Sequence, residues 1–251
     1  MFKVYSDISK IKKLPSAILL DTDNTLYDYE PANNAALYAS YLSVNLSMGI
    51  SQSDFYHYYK VARNEIKDQL GRTASSHSRL LYFQKMFELL GCGSQLLLSL
   101  ELEQVFWRNF LDNAPLFDDL LNFLNLAKAH GIKLGIVTDL TSHIQLRKLT
   151  YFNLESFFDA VVCSEEVGSD KPDYKNFQLC YAKLKLVENS TVWMIGDDPL
   201  SDIYGGSNAG CITFQKLHRC LSVNKSIALP DVAFNSYNEL TKLLSRIVKI
   251  S

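Results

Sequence analysis

Four short stretches of the chain gather carboxylates, hydroxyls and a lysine at spacings that could support chemistry. The first is Asp21-Thr22-Asp23-Asn24-Thr25-Leu26-Tyr27, with two carboxylates two residues apart. Two close anions repel and shift each other's pKa unless a cation is near. The pair therefore suits either a metal site or a nucleophile beside an acid/base. The second stretch is Thr138 followed by Asp139, and the third is Gly168-Ser169-Asp170-Lys171-Pro172-Asp173. Lys171 precedes a proline, which pushes its backbone toward extended conformations, and Pro172 is expected to open a helix. The fourth is Gly196-Asp197-Asp198-Pro199-Leu200-Ser201-Asp202. Here glycine permits close approach of the backbone, so Asp197 and Asp202 could project toward one crevice. Taken singly, each stretch has an ordinary structural explanation: a capped strand end, a turn hydroxyl, a surface lysine, a solvated acidic loop. Four in order are not explained that way.

The elements that must position these residues are legible as alternating textures. Short apolar runs at 17–20, 134–137, 160–163, 192–195 and 211–214 predict strands, most of them ending just before a polar residue or glycine. Near-continuous apolar strands belong in a parallel sheet covered on both faces. Helical patterns follow at 117–130, stopped by Gly131, and at 173–186, 201–209 and 237–250. This alternation predicts an α/β fold with a doubly wound, Rossmann-like parallel sheet, whose ligands bind beyond the carboxyl ends of the strands. Residues 29–113 interrupt it. They predict helices at 31–47, 51–70, 76–90 and 94–111, with Pro31 in a first turn and Gly49, Gly71, Gly91 and Gly93 at the joints. The expected organisation is a core of residues 1–28 and 114–251 with a helical insertion at 29–113.

The ordered set D-x-D-x-T, Thr, Lys and G-D-x(4)-D resembles the haloacid dehalogenase-like hydrolase superfamily across essentially the whole chain, with the insertion matching that family's α-helical cap. The resemblance implies a phosphatase that works through an aspartyl-phosphate intermediate. Asp21 would be the nucleophile, and Asp23 would protonate the leaving oxygen and then activate water. Thr138 and Lys171 would hold phosphoryl oxygens. Mg²⁺ would be bound by Asp21, the Asp23 carbonyl and Asp197; Asp202 would support the metal shell or orient Lys171, and Asp198 and Asp139 would be supporting residues. Asp23 favours phosphate-ester chemistry over dehalogenation, because a halide leaves without protonation. Asn24 replaces a frequent glycine, and Asp139 stands where asparagine is more usual; the added carboxylate could weaken phosphate binding unless it points away or contacts a polar substrate. The implied substrate is a small phosphorylated metabolite, a sugar phosphate or nucleoside monophosphate. A phosphotransferase of the β-phosphoglucomutase type and a non-catalytic ligand-binding member are the alternatives.

Within the insertion, Gly71–Arg79 forms a polar run in which Arg72, His77 and Arg79 could meet an anionic substrate, or simply face water beyond a helix capped by Ser75 or Ser76. The aromatic stretch Phe55–Tyr59 fits helix packing better than base stacking. The 251 residues are 47% hydrophobic and 21% charged, with a net charge of −2, which argues against disorder and against a role in gripping nucleic acid. The five cysteines, Cys92, Cys163, Cys180, Cys211 and Cys220, include no C-x-x-C and are expected to be free thiols. No apolar signal segment or membrane span stands out, so the expected location is cytoplasmic, without membrane partners.

Overall fold

A computed structural model describes residues 2–219 and 221–249. The chain divides into two compact units, Met1–Asp28 with Leu116–Ser251, and Tyr29–Pro115. In the first, among the described residues, seven strands form one sheet: β1 (Lys3–Val4), β2 (Ala17–Leu20), β3 (Lys133–Thr138), β4 (Ala160–Cys163), β5 (Val192–Gly196), β6 (Ile212–Lys216) and β7 (Val232–Phe234). Their spatial order is β1-β7-β6-β5-β2-β3-β4. All neighbours are parallel except β1 against β7. β2 lies between β3 and β5, with Leu20 in register with Ile136 on one side and Ile195 on the other. The three carboxyl ends therefore lie side by side.

The all-apolar texture of these strands follows from cover on both faces. Ala17, Leu19, Val137, Val162, Val192 and Met194 pack with Phe177, Cys180 and Leu184. By strand alternation Trp193 turns to the opposite face, where its ring lies 4.4 Å from Phe214.

The second unit is built from helices α1 (Tyr29–Met48), α2 (Gln52–Leu70), α3 (Arg79–Leu89) and α4 (Leu96–Asp112). Gly49, Gly71, Gly91 and Gly93 adopt φ of 69°, 62°, 75° and 70° at its joints, a region where side chains other than glycine are strained. Phe55 and Tyr59 are buried, with Tyr59 5.5 Å from the ring of Phe83. The aromatic stretch is thus packing within the unit, while His57 is exposed. α3 is capped by Ser78, whose hydroxyl accepts the Leu81 N–H, and not by Ser75 or Ser76, which lie in the 3₁₀ turn Ala74–His77.

The remaining long helices are α5 (Leu120–Ala129), α6 (Ser142–Tyr151), α7 (Tyr174–Lys183) and α8 (Tyr237–Val248). Three features differ from the sequence expectation. Pro172 does not open α7; Asp173 caps it by accepting the Lys175 N–H at 2.9 Å. The expected helix at 201–209 is a π-helical turn, Pro199–Tyr204, followed by a short α segment, Gly205–Asn208. α6, β1 and β7 were not anticipated. Cys163, Cys180 and Cys211 are buried free thiols and Cys92 is partly exposed; Cys220 and the expected end of α8 at Ile250 lie outside the described residues. No described helix is long and apolar enough to cross a membrane.

Candidate active site

The site begins where β2 ends. The Asp21 N–H still bonds to the Ile195 carbonyl at 3.0 Å, which fixes its Cα at the sheet edge. The chain then turns tightly, with Leu26 N–H donating to Thr22 O at 2.8 Å. Asn24 sits at φ 58°, a left-handed conformation that asparagine tolerates better than most residues. The Tyr237 hydroxyl donates to the Thr25 carbonyl at 2.9 Å and anchors this turn to α8.

Lys171 is the centre of the charge arrangement. Its Nζ lies 2.6 Å from Asp21 Oδ1 and 2.7 Å from Asp202 Oδ1, and its side chain is almost completely buried. Burial alone would lower the lysine pKa, but Asp202, Asp21 and Asp139 outweigh it and hold the pKa well above the ordinary value. Burial pushes Asp21 up from 3.8 to about 7; the charges of Asp197 and Asp23 add to the rise and Lys171 opposes it. Asp139 contributes from behind: its Oδ1 accepts the Lys171 backbone N–H at 2.8 Å. The carboxylate that sequence reasoning singled out as a departure thus holds the lysine's main chain.

Carboxylate oxygens of Asp21, Asp197 and Asp202 fall within 4.8 Å of one another. Asp202 is already engaged, since its Oδ2 accepts the Asp198 N–H at 3.0 Å while Oδ1 meets Lys171. Gly196 makes room for it: a Cβ there would stand 2.2 Å from Asp202 Oδ2. Asp198 points elsewhere and caps the following turn, accepting from Leu200 N at 2.9 Å and Ser201 N at 2.6 Å. His218 Nε2 lies 3.4 Å from Asp197 Oδ2, and Gln215 Nε2 donates to the Asp197 carbonyl at 3.0 Å.

Thr138 ends β3 and joins a buried polar network. Its hydroxyl lies 2.8 Å from that of Thr22 and accepts from Gln145 Nε2 at 2.9 Å. The same amide donates to the Asp139 carbonyl at 2.7 Å. Asp23, on the far side of the turn, is held by the Tyr27 hydroxyl and by Lys148 Nζ, the latter at 2.8 Å.

The structure therefore brings Asp21, Asp197, Asp202, Lys171 and Asp139 into one cluster, with Thr138 at the end of the neighbouring β3 and Asp23 in the turn that follows Asp21. The family profile described as haloacid dehalogenase-like hydrolase matches residues 18–215, a span that holds all four motif stretches. The chain belongs to this family. It is 35% identical over 201 residues to the ribulose-1,5-bisphosphate 5-phosphatase of Halopiger xanaduensis, covering 80% of this chain and 84% of that one. It is 28% identical to the pyrimidine 5'-nucleotidase YjjG of Escherichia coli over 91% of this chain and 97% of its relative. Among solved structures, the HAD-hydrolase YfnB of Bacillus subtilis, crystallised with magnesium, superposes with a TM-score of 0.70 at 22% identity, covering 93% of this chain and all of that one. The haloacid dehalogenase-like chain is a phosphoric monoester hydrolase.

Arg72, His77 and Arg79 belong to the helical unit. Arg72 is exposed, His77 partly so, and Arg79 buried. Arg79 Nη1 donates to the His77 carbonyl at 2.7 Å, Nη2 meets the Tyr29 hydroxyl, and the guanidinium lies 5.1 Å from the Phe106 ring centroid. Sequence reasoning missed Gln145, Lys148 and His218 altogether. The first two lie on α6, where their burial is a property of the fold and nothing in the sequence SHIQLRKLTY marks them as site residues.

Proposed function

We propose that this haloacid dehalogenase-like enzyme is a Mg²⁺-dependent phosphatase that hydrolyses a small phosphorylated metabolite through a phosphoryl group carried on Asp21. The observation that carries this is the placement of the Asp21 carboxylate at the edge of the central strand, 2.6 Å from a buried, charged Lys171. An aspartate is a weak nucleophile, so its rate must come from positioning and neutralised charge.

The donor set fits Mg²⁺. Asp21, Asp197 and the Asp23 carbonyl are hard oxygens on adjoining loops, and Asp202 is held by Lys171 and the Asp198 N–H in a supporting place. When bound, Mg²⁺ would offset the repulsion between an anionic nucleophile and an anionic phosphoryl group.

In the first step an Asp21 oxygen attacks phosphorus, and the bond to the ester oxygen breaks. Asp23 gives its proton to that departing oxygen. In the second step Asp23 takes a proton from water as the water oxygen bonds to phosphorus, and the Asp21–phosphorus bond breaks, releasing phosphate. Lys171 and the Thr138 hydroxyl serve as donors to the phosphoryl oxygens. Gln145 and Thr22 set the Thr138 rotamer from behind.

A sugar phosphate or nucleoside monophosphate is the substrate class we favour, because the relatives above are named as a ribulose-1,5-bisphosphate 5-phosphatase and a pyrimidine 5'-nucleotidase. The helical unit Tyr29–Pro115 is proposed as the cap that varies with substrate, with Arg72, His77 and Arg79 as its basic candidates. The test is phosphate release from a metabolite panel with Mg²⁺ or with EDTA. Mg²⁺-dependent turnover that vanishes in Asp21→Asn, with unchanged circular dichroism, is expected. Turnover retained in that variant would remove Asp21 as the nucleophile.

A further inference from the structure

The Asp23 carboxylate carries two donors on one oxygen. Tyr27 Oη donates to Oδ1, and Lys148 Nζ donates to the same atom at 2.8 Å. The two donors come from different places: Tyr27 from the return of the β2 turn, which pairs Asp23 with Tyr27, and Lys148 from the last turn of α6. Both are buried. Tyr27 is fully buried and its ring lies 5.1 Å from that of Phe152, while Lys148 is 1% exposed with its Nζ 5.8 Å from the Tyr27 ring centroid. The Asp23 side chain is about one-third exposed. An ordinary solvated carboxylate does not need a buried lysine and a buried tyrosine aimed at one of its oxygens, and burying a lysine is costly without a partner.

We propose that Tyr27 and Lys148 are positioning residues that clamp Asp23 by Oδ1 and thereby fix the rotamer from which its carboxyl group exchanges a proton with the ester oxygen and with water. This rests on the assignment of Asp23 as the acid and base of the reaction. A carboxyl oxygen has two lone pairs, and two donors on Oδ1 occupy both. In the first step the proton of the neutral acid passes from Asp23 to the ester oxygen, which takes the electron pair of the breaking phosphorus–oxygen bond. In the second step Asp23 takes a proton from water as the oxygen–phosphorus bond forms and the Asp21–phosphorus bond breaks. Neither Tyr27 nor Lys148 gains or loses a proton in the cycle; they fix a rotamer.

A positioning role has a signature that a purely structural role lacks. Protonation matters for an alkoxide leaving group and little for p-nitrophenolate, so loss of the clamp should be selective for poor leaving groups. General acid catalysis contributes about 10²- to 10⁴-fold, so loosening the acid in Lys148→Met and Tyr27→Phe should each lower kcat/KM for an alkyl monoester such as glycerol phosphate by roughly tenfold or more. On p-nitrophenyl phosphate the same variants should stay within about threefold, most of the change lying in kcat. Lys148→Arg, which keeps a donor, should recover part of the loss. Asp23→Asn is measured beside them on both substrates. If it shows the selective loss while Tyr27→Phe and Lys148→Met slow both substrates equally, or leave both unchanged, the clamp is wrong and the acid assignment stands. If Asp23→Asn itself slows both substrates equally, the acid assignment falls, and the clamp with it. Should Lys148→Met fail to fold by circular dichroism, Tyr27→Phe, which removes only a hydroxyl, decides the matter.

Discussion

Replacing Lys171 with methionine tests the charge balance of the site in a way that separates physics from catalysis. In the folded protein the Nζ meets Asp21 at 2.6 Å and Asp202 at 2.7 Å, with the lysine almost fully buried. At an effective dielectric of about 20, each contact is worth about 6 kcal/mol before desolvation, which cancels most of it. Methionine keeps the packing but leaves two buried carboxylates without their cation, and breaking a buried pair from one side typically costs about 3–5 kcal/mol. Proton uptake sets a ceiling on that loss. From the ordinary value of 3.8, protonating one carboxylate at pH 7 costs about 4.4 kcal/mol, and at pH 5 only about 1.6 kcal/mol. The sign follows: in the variant the folded carboxylates have pKa values raised above their unfolded ones, so stability is present at low pH and lost as pH rises. The expected result is a fall in Tm of roughly 6–20 °C at pH 7 for a chain of this size, shrinking clearly by pH 5. Adding Asp202→Asn to Lys171→Met should restore part of the loss at pH 7. Urea unfolding followed by circular dichroism in EDTA, at both pH values, measures all of these. A loss below about 1 kcal/mol, or one that does not change with pH, would refute the reasoning.

The raised pKa of Asp21, about 7 without a metal ion, means that the metal-free wild-type protein gains stability from a bound proton that is lost as pH rises from about 4 through 7. Because Mg²⁺ needs the carboxylate, the Mg²⁺-induced rise in Tm should be larger at pH 8 than at pH 5; equal rises by scanning fluorimetry would contradict this. Gln145→Leu removes the donor to the Thr138 hydroxyl and the Asp139 carbonyl. It should cost about 1–3 kcal/mol and weaken inhibition by orthophosphate several-fold, checked by urea unfolding and inhibition kinetics. Asp198→Ala removes a helix cap and should cost about 0.5–2 kcal/mol. The dependence of its activity on Mg²⁺ concentration should stay unchanged.

The sheet and its acidic edge were legible because each relevant strand is buried on both faces. β2 is AILL and β5 is VWMIG, both wholly buried, so the first polar residue marks the carboxyl end. That pattern located Asp21, Thr138 and Asp197. It failed for α6, whose sequence SHIQLRKLTY turns Gln145 and Lys148 inward beside Ile144 and Leu149. A helix whose buried face includes the polar groups of a site does not show the apolar period that reveals other helices. Tyr27 stood inside the first stretch without a role, because nothing local says that a tyrosine four residues on returns to its aspartate. Neighbouring acids were equally ambiguous: Asp198 accepts the N–H groups of the next turn, whereas Asp202 accepts from the Lys171 side chain and the Asp198 N–H. The same holds for Ser75, Ser76 and Ser78, of which only the last stands one residue before α3. The short strands β1 and β7 hold two and three residues, too few for a period to register.

The central claim is that Asp21 carries the phosphoryl group. The most direct measurement is to mix the enzyme with Mg²⁺ and a ³²P-labelled substrate identified from the panel, quench in acid within the first turnovers, and map the label by peptide mass spectrometry. The expected result is hydroxylamine-sensitive label on the peptide containing Asp21, absent in Asp21→Asn. Full turnover with no label on that peptide, or label on another residue, would contradict it.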